Sequence, residues 1–383
     1  MRLLFTTRDY VFAGRPRPGF PLLLDDDMQP AQPFHAYLRF RLLEQGKILD
    51  VKTWEAYGRR LWDYARFLHA NNFAWNRPFC SVGESPVRIY RDWQASDLRL
   101  EPATVNARLR LVQDMYVWAR AKDLISELPF SYGDVAIYRA HTDMTRVEGG
   151  QELVGRSNLQ IDEWEKDPVF LTADQIRAAR TCIRATEHRL MFDLMVRVGL
   201  RSIEVRTLPV EFIFDPRTRS GLKPGMLIDV RLDPKRMSTK FKKARTVHIP
   251  YSLMEELHAY SCFRRNLRLP LGQESNQLFL TSCGNGFSKG SLHKAMRMIG
   301  ERAGFTIRPH MLRHSYAIHT LCFLRTHPEI PVEPLLYVRD RLGHANVQTT
   351  MIYLRQIDRL MGAEALQIMD EFDQLYSLPD SRS

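Results

Sequence analysis

Four short segments in the second half of the chain carry side chains suited to chemistry on a phosphate. In order along the chain they supply Arg201 with Glu204, a basic stretch from 231 to 245, His310 with Arg313, and His344 followed nine residues later by Tyr353. A guanidinium offers an oxyanion a planar fork of donors, an imidazole gives or takes a proton, and a tyrosine hydroxyl can act as a nucleophile. Together these groups suit chemistry on a phosphate or another oxyanion.

The first segment, VGLRSIEVRTLP, places Arg201 at the end of an apolar helical pattern, with Glu204 three residues on. An arginine there is poorly solvated unless it meets an anion. This segment alone fits an ordinary surface arginine equally well or better.

The second segment, RLDPKRMSTKFKKARTVHIP, holds seven basic residues between Arg231 and Arg245, against one acid. Its pattern predicts a β-hairpin whose basic tip enters a DNA groove or contacts a scissile phosphate. The alternative is a solvated charged loop, which is the usual fate of such runs. Lys240, Lys242, Lys243 and Arg245 are the candidates for DNA contact in this segment.

The third segment places His310, Arg313 and His314 on one helix face, at i, i+3 and i+4. Two histidines four residues apart could also bind zinc. The sequence lacks the HExxH glutamate and a nearby carboxylate, so a metal site is disfavoured. A lone tyrosine on an amphipathic helix, such as Tyr353, is more often core than catalytic.

Helices must position most of these groups. Trp54, Tyr57, Leu61, Tyr64 and Leu68 recur at spacings of three and four, which predicts one helix face. A second helix is predicted from Pro102 through TVNARLRLVQDMYVWARAKD. Arg108 and Arg110 lie off its apolar face, where they would be solvated or contact DNA phosphates.

These patterns predict a mainly α protein with a small antiparallel β-sheet and a two-domain architecture. Residues 1–32, rich in proline and glycine, are expected to be an N-terminal extension or arm, and 33–130 a helical domain. Residues 131–167 are the candidate linker. Residues 168–360 form the second domain, with strands at MLIDVRLD, TVHIP and LFLT. The remainder, 361–383, is an amphipathic helix and tail that must bury its apolar face somewhere.

Composition sets wider bounds. Lysine and arginine exceed acids by 55 to 44 among 383 residues, giving a net charge of +11. This surplus is common in proteins that bind polyanions, although alone it is weak evidence. The five cysteines are scattered without a CxxC pair, which argues against a disulfide framework and fits a reducing compartment. With no apolar run of membrane-spanning length, we expect a cytoplasmic protein without membrane contact.

The ordered segments resemble the tyrosine recombinase family, also called the λ-integrase family, over roughly residues 33–360. The segments PHMLRHSYA and LGHANVQTTMIYLR are especially similar to the family's sequence motifs, and the first domain resembles its helical core-binding domain. The resemblance implies a catalytic set of Arg201, Lys240, His310, Arg313, His344 and Tyr353. Glu204 and His314 would support these residues, His314 by packing or by bonding backbone. Ser315 departs mildly from the threonine usual after LRH, and the choice among the hairpin lysines stays open.

The resemblance further implies a site-specific recombinase that joins itself to DNA through a 3′-phosphotyrosine and needs neither metal nor another cofactor. Strand exchange would run through a Holliday junction in a tetrameric synapse on two double-stranded sites, from a protein that is perhaps monomeric when free. Integration, excision or transposition of a mobile element is the expected role, with accessory DNA-bending or directionality proteins as possible partners. A type IB topoisomerase and a catalytically inactive DNA-binding accessory protein are the alternatives.

Overall fold

The chain divides into two compact units, residues 1–165 and 166–383. The computed structural model describes residues 1–48, 50–77, 84–139, 150–164, 167–270, 272–344 and 348–360. The expected C-terminal helix and tail, residues 361–383, lie outside the described residues. Among the helices of the described residues, none is long and apolar enough to cross a membrane.

In the described residues of the first unit, the α-helices are α1 (Phe34–Leu38), α2 (Val51–Ala70), α3 (Pro86–Ser96) and α4 (Pro102–Ala121), and a π-helical segment, Arg39–Glu44, continues α1. Side-chain caps set two of their starts, since Asp50 accepts the backbone N–H of Thr53 and Ser85 that of Arg88. The predicted face of α2 is confirmed, with Trp54, Leu61, Tyr64 and Leu68 buried and Tyr57 packed against the same core.

The first 32 residues differ from the irregular extension that we expected. Strand β1 (Arg2–Phe5) pairs with β4 (Pro21–Leu24), and β2 (Val11–Phe12) pairs with β3 (Arg15–Pro16). Phe20 and Leu23 are buried in the helical core of the first unit. The glycines of the Pro/Gly-rich stretch form turns, with φ of +72° at Gly14 and +83° at Gly19, a conformation that glycine adopts without strain.

The stretch expected to be a linker also contains regular structure. Strand β5 (Tyr132–Arg139) pairs antiparallel with β6 (Gly150–Ser157). The end of β6 and the segment after it are anchored within the first unit, because the Gln113 side chain donates to Ser157 Oγ and the amide of Asn106 donates to the Ile161 carbonyl. The sequences of these two strands show no clear alternation of apolar and polar residues, so the pattern did not predict them.

The second unit is mainly helical. Its helices are α5 (Ala173–Thr181), α6 (Thr186–Arg197), α7 (Ser202–Arg206), α8 (Tyr251–Ala259), α9 (Lys289–Ala303), α10 (Pro309–Thr326), α11 (Pro334–Leu342) and α12 (Gln348–Leu360). The predicted capping box is present, as Thr172 accepts the N–H of Gln175 and the Gln175 side chain accepts that of Thr172. The mainly α fold class is thereby confirmed.

The predicted hairpin forms from β7 (Leu227–Leu232) and β8 (Arg245–Pro250), with Leu232 opposite Arg245. Residues 233–244 connect the strands, so the basic run occupies the turn. The predicted third strand at LFLT was wrong. Leu278, Phe279 and Leu280 are buried in the core, where an apolar run need not pair as a strand, and Leu280 makes only an isolated bridge to Gly286.

Candidate active site

Arg201 lies between α6 and α7, after a glycine that reverses the chain. Gly199 has a φ of +71°, and a Cβ at this position would overlap the Tyr316 ring. Arg201 donates its backbone N–H to Glu204 Oε2 over 2.7 Å and its Nη1 to Oε1 over 3.1 Å. Its Nη2 contacts the Gly343 carbonyl at 3.3 Å. The anion that this poorly solvated arginine meets inside the unit is therefore Glu204.

Glu204 is fully buried and is shared with a second arginine. Arg245, the first residue of β8, donates Nη1 to Oε1 and Nη2 to Oε2 of this carboxylate. Its Nε donates to the Arg341 carbonyl over 2.9 Å. The Arg245 side chain is 8% exposed. Every nitrogen of the Arg245 guanidinium thus has a partner inside the unit, and a DNA contact of this residue stays a prediction.

Helix α10 presents Arg313 at the centre of the site. Its side chain is 2% exposed, and its two terminal nitrogens donate to the carbonyls of Gly199 and Leu342 at 2.5 Å each. Burial, with the neighbouring charges of Arg201 and Arg245, lowers the pKa of Arg313 to about 9. A buried cation whose hydrogen-bond partners are neutral carbonyls would be stabilised by an anion such as a phosphate.

Tyr353 projects from α12 into this site. It is 2% exposed, and its hydroxyl lies 2.9 Å from Nδ1 of His314. Burial raises the pKa of Tyr353 to about 12, although the charges of Arg313 and Arg201 act in the opposite direction. The phenol is therefore protonated at neutral pH, and its attack requires that the proton be directed elsewhere.

His344 follows Gly343, which ends α11 in the left-handed conformation with a φ of +62°. Its Nδ1 lies 3.0 Å from the hydroxyl of Thr350, and its ring stacks near that of Tyr353 with centroids 6.4 Å apart. Burial and the charges of Arg313 and Arg201 lower the pKa of His344 to about 3. The imidazole is thus neutral at physiological pH.

His310 lies at the solvent-exposed edge of the site, with its ring 4.2 Å from that of His314. Burial of part of the ring and the charges of Arg313, Lys240 and Arg201 lower the pKa of His310. Lys240 is exposed, within the turn Lys240–Lys242 of the hairpin loop. The charge of Lys240 contributes to the lowered pKa of His310, and the catalytic assignment of Lys240 stays a prediction. Lys242 and Lys243 are exposed as well, and Lys242 lines a cleft with Thr207.

The structure brings Arg201, Glu204, His310, Arg313, His314, His344 and Tyr353 together, from segments more than 150 residues apart. Sequence reasoning undervalued His314, whose imidazole contacts the Tyr353 hydroxyl. The available signal was the helical spacing that places His314 one turn after His310. In the part of the chain that the structure describes, no group of three or more metal-ligand side chains lies close enough to hold an ion.

Arg108 and Arg110 of α4, the candidates for phosphate contact in the first unit, both form ion pairs within that unit. Arg108 forms an ion pair with Asp63 at 2.6 Å and also donates to Gln94. Arg110 pairs with Glu163 at 3.0 Å but keeps 57% of its side chain exposed. Of the two, Arg110 is the freer to exchange its partner for a DNA phosphate.

Comparison with known proteins identifies the architecture that surrounds this site. The pattern of the phage integrase family matches residues 169–359, the segment that contains every residue of the site. The chain belongs to the phage integrase family, the tyrosine recombinases. Tyrosine recombinase XerA of Thermococcus onnurineus is 30% identical over 190 residues, which are 49% of this chain and 58% of that protein. XerC of Haemophilus ducreyi is 33% identical over 165 residues, 43% of this chain and 45% of XerC. The chain spans about half the length of the curated relatives it matches.

Solved recombinases share the fold over most of the chain. The XerH site-specific recombinase, bound to palindromic difH substrate in a post-cleavage complex, superposes with a TM-score of 0.54 and 17% identity. That match covers 88% of this chain and 85% of XerH. The Tn1549 transposon integrase in complex with transposon right end DNA gives a TM-score of 0.55 at 15% identity, covering 86% of this chain and 98% of the integrase. Structural similarity at identity this low establishes the two-domain fold of the family alone. The function must be inferred from the residues of the site.

Proposed function

We propose that the protein is a site-specific DNA recombinase that cleaves and rejoins double-stranded DNA through a 3′-phosphotyrosine at Tyr353. The observation that carries this proposal is the position of the Tyr353 hydroxyl, held by His314 beside the buried guanidinium of Arg313. A structural tyrosine has no need of a cationic surrounding. A tyrosine that attacks a phosphodiester does, because negative charge grows on the non-bridging oxygens as the new bond forms.

The roles of the side chains follow from their positions. Arg201 and Arg313 would bind the non-bridging oxygens, exchanging bonds to the Gly343 and Leu342 carbonyls for bonds to the phosphate. Glu204 would orient Arg201. His310 and His344 would add neutral donors to the same oxygens.

In the cleavage step, Tyr353 gives its hydroxyl proton to a histidine of the site and its Oη bonds to phosphorus, while the bond from phosphorus to the 5′ oxygen breaks. Lys240, at the exposed edge of the site, would give the departing oxygen its proton. The phosphotyrosine conserves the energy of the phosphodiester, so the rejoining step, which is the reverse reaction on a new 5′ hydroxyl, requires no ATP. The proposed chemistry uses side chains of this protein alone, without a cofactor.

The proposed substrates are two double-stranded recombination sites bound by four protomers, with strands exchanged in pairs through a Holliday junction. The free protein would be monomeric. Solved neighbours that include the Tn1549 transposon integrase and a λ integrase dimer on a core site support integration, excision or transposition of a mobile element as the role. Accessory DNA-bending or directionality proteins would act with it, and the protein would be associated with the nucleoid.

A nicked suicide substrate tests the proposal directly. DNA flanking the protein's own gene is the source of candidate sites, because a mobile element leaves its junctions there. Incubation should yield a covalent adduct resistant to denaturant, and sequencing should show reciprocal junctions between two defined sites. Ready relaxation of a supercoiled plasmid that lacks any such site would instead indicate a topoisomerase. Binding without any adduct would indicate an accessory protein.

A further inference from the structure

His314, and neither His310 nor His344, is the histidine in hydrogen-bond contact with the Tyr353 hydroxyl. Its Nδ1 lies 2.9 Å from Tyr353 Oη. The Nδ1 of His344 is 3.0 Å from the Thr350 hydroxyl instead. The nine-residue spacing in the sequence had linked His344 to Tyr353. In the structure, His314 makes the hydrogen bond to the tyrosine and His344 contacts Thr350.

The direction of this hydrogen bond follows from chemistry. Burial and the neighbouring His310 and Arg313 lower the pKa of His314 to about 3, so its imidazole is neutral at physiological pH. A neutral imidazole carries one proton and one lone pair on its two nitrogens. A phenol is a stronger acid than the N–H of a neutral imidazole, and an imidazole nitrogen is a stronger base than a phenol oxygen. The hydroxyl therefore donates to Nδ1, and the imidazole carries its own proton on Nε2.

We propose that His314 is a positioning residue for the nucleophile. Its Nδ1 accepts a hydrogen bond from the Tyr353 hydroxyl, which turns an oxygen lone pair toward the phosphate bound at Arg313. This inference rests on the recombinase function proposed above. It reassigns a side chain for which the sequence suggested only packing or a backbone bond.

The architecture of α10 explains why this position suits the task. His314 directly follows Arg313, so the group that orients the nucleophile and a group that binds the phosphate share one rigid helical segment. The ring of His310, one turn earlier, contacts the His314 ring edge to face at 4.2 Å and limits its rotation. Tyr353 comes from a different helix, so its distance from the phosphate depends on a contact of this kind.

Two substitutions of equal shape test the inference. Asparagine keeps an acceptor oxygen where Nδ1 stands, whereas leucine places a methyl group there, and both lose the same ring contacts. On a nicked suicide substrate, His314→Leu should form the phosphotyrosine adduct about 100-fold more slowly than the wild type, within the range for losing one preorganised hydrogen bond in an active site. His314→Asn should remain within about tenfold of the wild type.

Gel shifts and thermal unfolding of both variants check binding and folding. Equal defects in the two variants would show that the ring acts by packing, and a wild-type rate for His314→Leu would show that the contact is dispensable; either result overturns the inference. Should His314→Leu fail to fold, His314→Ala replaces it in the same comparison with Asn. An absence of adduct from the wild type would instead overturn the recombinase proposal itself, so the two failures are distinguishable.

Discussion

The carboxylate of Glu204 accepts a hydrogen bond from each terminal nitrogen of Arg245, joining the base of the basic hairpin to the segment that carries Arg201. Arg245 also donates to the Arg341 carbonyl, and a Cβ on Gly343 would lie 2.8 Å from its Cδ. One buried ion pair thus holds together the hairpin, the Arg201 turn and the end of α11 ahead of His344. This relationship makes Arg245 a structural partner of the site.

Removing Arg245 should destabilise the second unit strongly. Arg245→Met leaves the Glu204 carboxylate buried with one ionic partner fewer, and breaking a buried pair in this way costs about 3–5 kcal/mol of unfolding free energy. Urea unfolding of the purified protein measures the change. The double variant Glu204→Gln/Arg245→Met is the control and should recover part of the loss, because no buried carboxylate is left without its Arg245 partner. A loss below about 1 kcal/mol for Arg245→Met, the value of a surface pair, would contradict this interpretation.

The same pair predicts a pH dependence of stability. Burial by itself raises the pKa of Glu204, but the hydrogen bonds and charge of Arg245 outweigh burial, and the net pKa lies below the ordinary value of 4.5. A carboxylate with a lowered pKa in the folded state contributes stability above its unfolded pKa and loses it as the pH falls through the folded value. The stability advantage of the wild type over Glu204→Gln should therefore be full at pH 7 and shrink below about pH 4.5. An advantage that grew on acidification would refute the assignment.

Tyr353→Phe tests the nucleophile. The substitution keeps the ring that packs among the core of α10 and α12 and removes the hydroxyl that contacts His314. DNA binding in a gel shift should persist, while the covalent adduct on a suicide substrate should disappear completely. Any adduct formed by the phenylalanine variant would assign the nucleophile to another side chain.

Arg201→Lys tests binding of the phosphate. Lysine keeps the charge but loses the planar fork of donors, so cleavage should slow by about 100-fold or more. Arg313→Lys should give a similar defect, with some loss of stability, since lysine cannot easily reach both the Gly199 and Leu342 carbonyls. Single-turnover cleavage rates, with thermal unfolding as the folding control, provide the measurement. Near-normal rates in both variants would remove the arginines from the catalytic step.

The sequence predicted the site better than it predicted the chain around it. Spacing along α10 directly determines the face that His310, Arg313 and His314 share, whereas Arg201 and Tyr353 were selected by the order of the segments and the family resemblance. The N-terminal hairpins were missed because proline and glycine indicate an irregular segment as readily as tight turns. The ion pair of Arg245 could not be predicted, since charge alone cannot show that Glu204, 41 positions earlier, is its partner.

Lys240→Ala tests the general acid. The lysine is exposed at the hairpin turn, where its charge acts on His310, so its removal should leave the fold intact and block cleavage of ordinary DNA. A substrate with a 5′-bridging phosphorothiolate should restore cleavage, because a sulfur leaving group needs no proton. Lys242→Ala and Lys243→Ala, changed in the same exposed loop, are matched controls and should not show selective rescue by sulfur. Equal defects of Lys240→Ala on the two substrates would assign this lysine to DNA binding, and selective rescue of a control would identify that neighbour as the acid.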